Sequence, residues 1–208
     1  MQTHSPSLSW SGLREAGTNL SVATFYGLFA LAHAQSYLVQ QRVSLLLAVL
    51  MEGLVAVLLV VRSRPERASH SSWSWFTTVG GTMAPLLLRP GTEASDLAAG
   101  QVIQLLGAGL ALLAVLSLQR SFGLLPAYRT LRVEGAYRLV RHPVYAAYTI
   151  QNVGYLLSNR TLANLAVVVV ALLFQVLRVY NEERLLLALP SYRDYAQRTR
   201  WRLLPPVF

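Results

Sequence analysis

The sequence predicts an all-α integral membrane protein of about six (five to six) transmembrane helices. Three observations carry that fold class. Hydrophobic residues are 54% and charged residues 13% of the 208, whereas a soluble domain carries about 25% charged residues. Six apolar runs recur along the chain, most of them near the roughly 20 residues a helix needs to cross the hydrocarbon core. The charge is also one-sided: the net value is +9, all 18 basic residues are arginine, and they gather between the apolar runs.

The opening stretch, "MQTHSPSLSWSGLREAG", lacks the basic-then-apolar order of a cleaved signal peptide. Residues 1–19 therefore read as a cytoplasmic N-terminal tail, and the first apolar run as retained. Residues 20–118 hold the first four segments, Leu20–Val39, Val43–Val61, Trp73–Leu88 and Leu97–Leu118. The third is short and interrupted by Gly80, Gly81 and Pro85. Val144–Leu157 and Leu162–Tyr180 complete the set, the former short and carrying Tyr148, Gln151 and Asn152. Neighbouring helices can shield such segments from lipid. With the N-terminus in the cytoplasm, six crossings leave fourteen arginines inside and only Arg42, Arg89 and Arg160 outside. That asymmetry predicts a multi-pass protein with both termini cytoplasmic. Composition shifts near Gln119, after which tyrosines, arginines and acids mix into apolar helix. Residues 119–208 are where chemistry is expected.

Several classes drop out early. Topology accounts for the arginines between apolar runs, so nucleic acid is not an expected partner. The chain has no cysteine, which removes disulfides, thiolate metal sites and a cysteine nucleophile. His4 and His70 stand alone in polar stretches, and nothing in the sequence calls for a metal. "GAGLAL" from Gly107 looks like a nucleotide-binding glycine motif, but it lies inside a membrane segment with no preceding strand. Helix packing through small residues is its reading.

The first chemical stretch is "YRLVRHPVYAAY", Tyr137–Tyr148. Proline fits the first position of a helix and biases the residue before it toward extended backbone. His142 is therefore expected just outside a helix that starts at Pro143. Arg141 and His142 beside the free N–H groups of that first turn make a candidate anion site at the cytoplasmic face. Tyr145, Tyr148 and Asn152 share one helix face by spacing, a face too polar for lipid. The competing reading is a proline-started helix with topological arginines and interfacial tyrosines.

The second stretch is "VLRVYNEERLLLALPSYRDY". Arg178 and Glu182 lie one helical turn apart and can pair, while Glu183 points about 100° away. Such a group is costly against lipid and suits a polar cavity; an interfacial ion pair ending the helix is the alternative. A hairpin turning near Ser158–Arg160 would bring Glu182 back to the face that carries His142. The two stretches would then enclose one pocket with an anion-binding end and a carboxylate-rich end.

The order "SFG…EGAYRLVRHPVY…RVYNEERLLL…YRDYAQRTRWRLLPP", from Ser121 to Pro206, resembles the isoprenylcysteine carboxyl methyltransferase (ICMT) family of integral membrane methyltransferases, relatives of the phospholipid methyltransferases. The resemblance implies S-adenosylmethionine (SAM) as methyl donor, bound at the cytosolic face. Carried over, Tyr137, Val140, Arg141, His142, Pro143 and Tyr145 would line the donor site, with Glu182 and Glu183 as its other wall. It also implies catalytic positions at Arg178, which would orient an anionic acceptor, and at Glu182. Methyl transfer is a displacement that depends chiefly on alignment. The expected partners are the lipid bilayer and a lipophilic small-molecule or lipid-linked acceptor, with carboxylate O-methylation favoured. The chain departs from the family pattern at "LPSYRDY", where Pro190 is expected to restart a helix, and in having more N-terminal segments than a minimal member. The C-terminal stretch reads either as an interfacial helix facing anionic lipid or as a lid over the cofactor.

Glu52 and His33 sit inside otherwise apolar segments. Counted from a turn near Gln41, their depths differ by only about 4–5 Å. They are expected to hydrogen-bond as a pair within the first hairpin, with a place in the acceptor pocket as the alternative. Two other functions compete with methyl transfer. A sterol-type membrane reductase using NADPH shares an Arg-His-Pro-x-Tyr element, but typically has Asn where this chain has Val144. A non-catalytic membrane scaffold should bind neither SAM nor NADPH.

Overall fold

The computed structural model describes residues 10–61, 67–68, 71–91, 96–118, 127–128 and 131–208. Outside those residues lie Arg62, Arg64, Arg120 and Arg129 of the inside arginines, the "SFG" element from Ser121, His4 and His70. Among these residues seven helices follow one another: α1 (Trp10–Gln40), α2 (Val43–Val61), α3 (Ser72–Met83), α4 (Ala98–Leu118), α5 (Pro143–Ser158), α6 (Leu162–Leu186) and α7 (Pro190–Arg198). The 3₁₀ turns Ala84–Leu87 and Gly135–Arg138 extend α3 and precede α5. A two-residue antiparallel ladder, Arg67–Ala68 against Ala127–Tyr128, is the sheet among the described residues. Among the described residues three helices, α2, α4 and α6, are long and apolar enough to cross a membrane. Their outer faces carry exposed leucines and valines, for example Leu105, Leu113 and Leu116 on α4, a surface that lipid rather than water accommodates.

The helices start and stop where the expected segments do, with three differences. α1 begins at Trp10, so residues 10–19 of the expected tail are helical. The third segment breaks into α3 and a 3₁₀ turn, because Pro85 cannot donate to the helix ladder. α6 runs on past Tyr180 to Leu186, which puts Arg178, Glu182 and Glu183 on one continuous helix.

The turns are specified locally. Gln41 adopts a left-handed conformation (φ 54°) after α1, and its N–H bonds to the Tyr37 carbonyl at 2.7 Å. Asp96 then caps the start of α2, accepting from the Ser44 N–H at 2.7 Å and from Arg42 Nε at 3.0 Å. At the same end, Asn164 donates to the carbonyls of Asn159 and Arg89, both at 2.8 Å. Asn159 Oδ1 in turn accepts from the Gly91 N–H at 2.9 Å. These two asparagines close the α5–α6 hairpin and fasten it to the chain after α3.

Two seams of small residues set the packing. On α4, a Cβ added at Gly107 would come within 2.8 Å of the Gln151 backbone nitrogen. On α5, a Cβ at Gly154 would meet the Gln104 nitrogen at 2.6 Å. The glycines therefore let the two backbones touch, as expected of "GAGLAL". Gly81 on α3 instead makes room for a side chain of α6, where a Cβ would lie 2.8 Å from Arg178 Cδ. The principal core fills the space between α1, α2, α4 and α5, with Tyr26, Val55, Leu59, Ala114 and Val144 buried together.

Candidate functional site

His142 is the N-cap residue of α5 and Pro143 its first helical residue, as the proline predicts. Gly135 holds a positive φ of 60° at the start of the preceding turn, where a side chain would strike Ser117. That explains the glycine in "EGAYR". The hairpin returns α6 to this end, and the two motifs meet. Tyr145 donates its hydroxyl to Glu182 Oε2 at 3.1 Å, and His142 Nδ1 lies 3.7 Å from the same oxygen. The His142 and Tyr145 rings stack with centroids 5.7 Å apart. The Arg178 guanidinium lies over the Tyr145 ring, 4.9 Å from its centroid, and donates to Thr82 Oγ1 at 3.3 Å. An arginine on an aromatic face, held from a third helix, is a fixed charge rather than a free one.

Glu183 faces the other way, as the helix rotation requires, and is buried. It accepts from Arg141 Nε at 2.6 Å and from Arg202 Nε at 2.7 Å, and His142 Nε2 lies 3.4 Å away. Arg141 also donates to the carbonyls of Ala196 and Thr199, both at 3.2 Å. The backbone N–H groups of Arg141 and His142 bond to the carbonyls of Trp201 and Arg202, both at 2.9 Å. The segment after α7 is thus laid across the start of α5. Two guanidiniums share one carboxylate here, so the cluster keeps a net positive charge.

α7 begins at Pro190 and brings Tyr192 and Tyr195 against Tyr137 in a buried aromatic cluster. Tyr195 donates to the Tyr137 carbonyl at 2.7 Å. The Tyr192 hydroxyl is buried without a hydrogen-bond partner. Burial pushes Tyr137, Tyr192 and Tyr195 well above the ordinary tyrosine range, so all three stay protonated at neutral pH.

These groups surround a cavity of about 200 Å³. Tyr137, Arg141, His142, Tyr145, Arg178 and Glu182 line it, as do Tyr192 and Tyr195. Val140 and Pro143 are buried behind the wall, with Glu183. The cavity continues between the helices past Tyr148 to Gln151, Asn152 and Tyr155, and reaches Glu52 and His33 on the first hairpin. Those two residues pair as expected: His33 Nδ1 stands 3.0 and 3.1 Å from the two Glu52 oxygens. Sequence reasoning did not reach Tyr26, Thr82 or Tyr155, each on an apolar helix with no motif around it. It also missed that Tyr155 bonds His33 Nε2 at 3.1 Å.

Residues 103–188 match the model of the isoprenylcysteine carboxyl methyltransferase (ICMT) family. No curated protein and no solved structure matches the chain. The match begins in α4, takes in the first motif with Arg178, Glu182 and Glu183 of the second, and stops before α7. The part of the chain that builds the His142–Glu182 end of the cavity is therefore an ICMT-like region, from a family that implies a membrane methyltransferase.

Proposed function

We propose that this protein is an integral membrane methyltransferase that uses SAM and acts on a lipophilic or amphipathic acceptor, with carboxylate O-methylation the favoured reaction. The observation that carries this reading is one cavity lined by both C-terminal motifs and by the N-terminal helices. In this arrangement residues 119–208 hold the donor, and the helices of residues 20–118 wall the acceptor. The fourteen-to-three arginine count favours six crossings, with both termini and the donor end cytoplasmic.

The side chains at the donor end suit that cofactor. The Arg141–Glu183–Arg202 cluster has a positive charge to offer a carboxylate, and Glu182, more open to the cavity, suits an ammonium or ribose hydroxyls. Tyr192 has an unspent hydroxyl. When bound, SAM supplies an electrophilic methyl group on a sulfonium. A carboxylate acceptor carries no proton to remove, so the site needs no general base. Arg178 holds the acceptor anion in line, stiffened by Tyr145 and Thr82. Glu182 fixes Tyr145 through its hydrogen bond. Tyr137, Tyr192 and Tyr195 close the cavity toward water.

The test is calorimetric binding of SAM and its demethylated product to detergent-purified protein, with His142→Ala and Glu182→Ala alongside. Micromolar binding that both variants lose supports the reading. A folded wild type that binds neither compound overturns it, and NADPH is then the next ligand to try.

A further inference from the structure

The deep end of the cavity contains a polar cluster that methyl transfer does not use. His33, Glu52, Gln151 and Tyr155 are all buried there, from α1, α2 and α5, and all line the cavity together with Asn152. A donor and acceptor count shows what this cluster lacks. In the tautomer that carries its proton on Nδ1, His33 donates to Glu52 and accepts at Nε2 from the Tyr155 hydroxyl. Gln151 gives one of its two amide N–H bonds to the Leu47 carbonyl at 3.5 Å. The His33 and Tyr155 donors are thus committed within the cluster, while Gln151 Oε1 is buried with no hydrogen-bond partner. Glu52 has lone pairs beyond the single proton that His33 gives it. A buried acceptor without a donor costs about 1–3 kcal/mol, and Gln151 is one of the residues that line the cavity.

The cluster also lies at a defined distance from the chemistry. Tyr145 and Tyr155 are ten residues apart on α5, which places them about 15 Å apart along the helix axis. Met51, Val55 and Tyr148 line the stretch between.

Building on the methyltransferase reading, we propose that the acceptor is a two-ended amphipath. Its reactive group lies at Arg178 and Tyr145, and a hydroxyl at its far end is received by Gln151 Oε1 and Glu52. A hydroxyl fits better than a methyl end because it donates to the orphaned oxygen. It fits better than an ammonium because it brings no second charge to be buried, and Asn152, which also lines the cavity, has an amide to offer its oxygen.

The experiment compares two probes, ω-hydroxydodecanoic acid and dodecanoic acid. Binding to the full chain in lipid nanodiscs is measured by calorimetry, with partition into empty nanodiscs subtracted. Wild type is expected to bind the hydroxy acid about tenfold more tightly. Gln151→Leu is expected to abolish that preference while leaving SAM binding unchanged. Asn152→Ala and Glu52→Gln, read by the same ratio, give a second route should Gln151→Leu fail to fold. Equal binding of the two acids by wild type, as from a cluster that holds only water, overturns the proposal. So does a preference that survives all three substitutions. Neither probe needs the cofactor, so these failures are separate from failure of wild type to bind SAM, which would overturn the methyltransferase reading instead.

Discussion

Arg141 and Glu183 lie 42 positions apart in sequence and meet at 2.6 Å. The pair joins the residue before the α5 cap to the last turn of α6, and Arg202 completes it from the segment after α7. Removing one partner of a buried ion pair leaves a charge uncompensated and typically costs about 3–5 kcal/mol. Glu183→Ala should therefore lower the thermal midpoint in detergent sharply. Arg141→Leu with Glu183→Leu should be less destabilised than the sum of the two single changes. A midpoint for Glu183→Ala equal to wild type would contradict a structural role for the pair.

The α4–α5 seam predicts a contrast between two glycines on one helix. A Cβ at Gly107 meets α5 backbone, whereas at Gly109 it meets nothing within 4 Å. Gly107→Ala should cost about 1–3 kcal/mol through overpacking, and Gly109→Ala should be neutral or slightly stabilising. Thermal unfolding of the two variants side by side reads the difference.

Stability should fall at both ends of the pH range. Burial raises the hydroxyls of Tyr137, Tyr192 and Tyr195 above their usual value of 10.0. Their contribution is fully present below pH 10.0 and is lost as pH rises from there toward the raised values. Asp96 works in the opposite sense. Burial pushes its carboxyl up, but the Ser44 hydrogen bonds, with those of Gln101 and Arg42, outweigh this and hold it below its usual 3.8. Its contribution is present above pH 3.8 and is lost as pH falls through its lowered value. Tyr192→Phe should flatten the alkaline limb and Asp96→Asn the acid one. Midpoints measured across pH test both.

On the proposed reading, Arg178 serves the acceptor and not the donor. Arg178→Lys keeps the charge but loses the planar contact with the Tyr145 ring and the reach to Thr82. Acceptor KM should rise about tenfold, with SAM affinity within about twofold of wild type. An equal loss of both would move Arg178 into the donor site.

Much of this arrangement was legible because it rests on local rules. Pro143 announced the start of α5, Pro190 that of α7, and the apolar runs gave the helix cores. The spacing of Arg178, Glu182 and Glu183 separated their directions correctly. What local rules could not supply was partner choice across the bundle. Arg141, expected to face an anion, is held by Glu183 and by the carbonyls of Ala196 and Thr199, contacts that depend on where α7 and the chain after it return. Tyr155 reads as one more aromatic residue in an oily helix until His33 arrives from 122 positions away. The extension of α6 past Tyr180 escaped a hydropathy reading because its last turns are polar yet still helical.

The hydrogen bonds from Arg141 and His142 to the Trp201 and Arg202 carbonyls place an optical reporter at the site. The chain has four tryptophans, and Trp10, Trp73 and Trp75 lie on α1 and α3. With those three changed to phenylalanine, the half-buried Trp201 becomes the lone tryptophan, on the stretch of chain that crosses the start of α5. Ligand occupancy can then be followed as emission, without a label and before any acceptor is known.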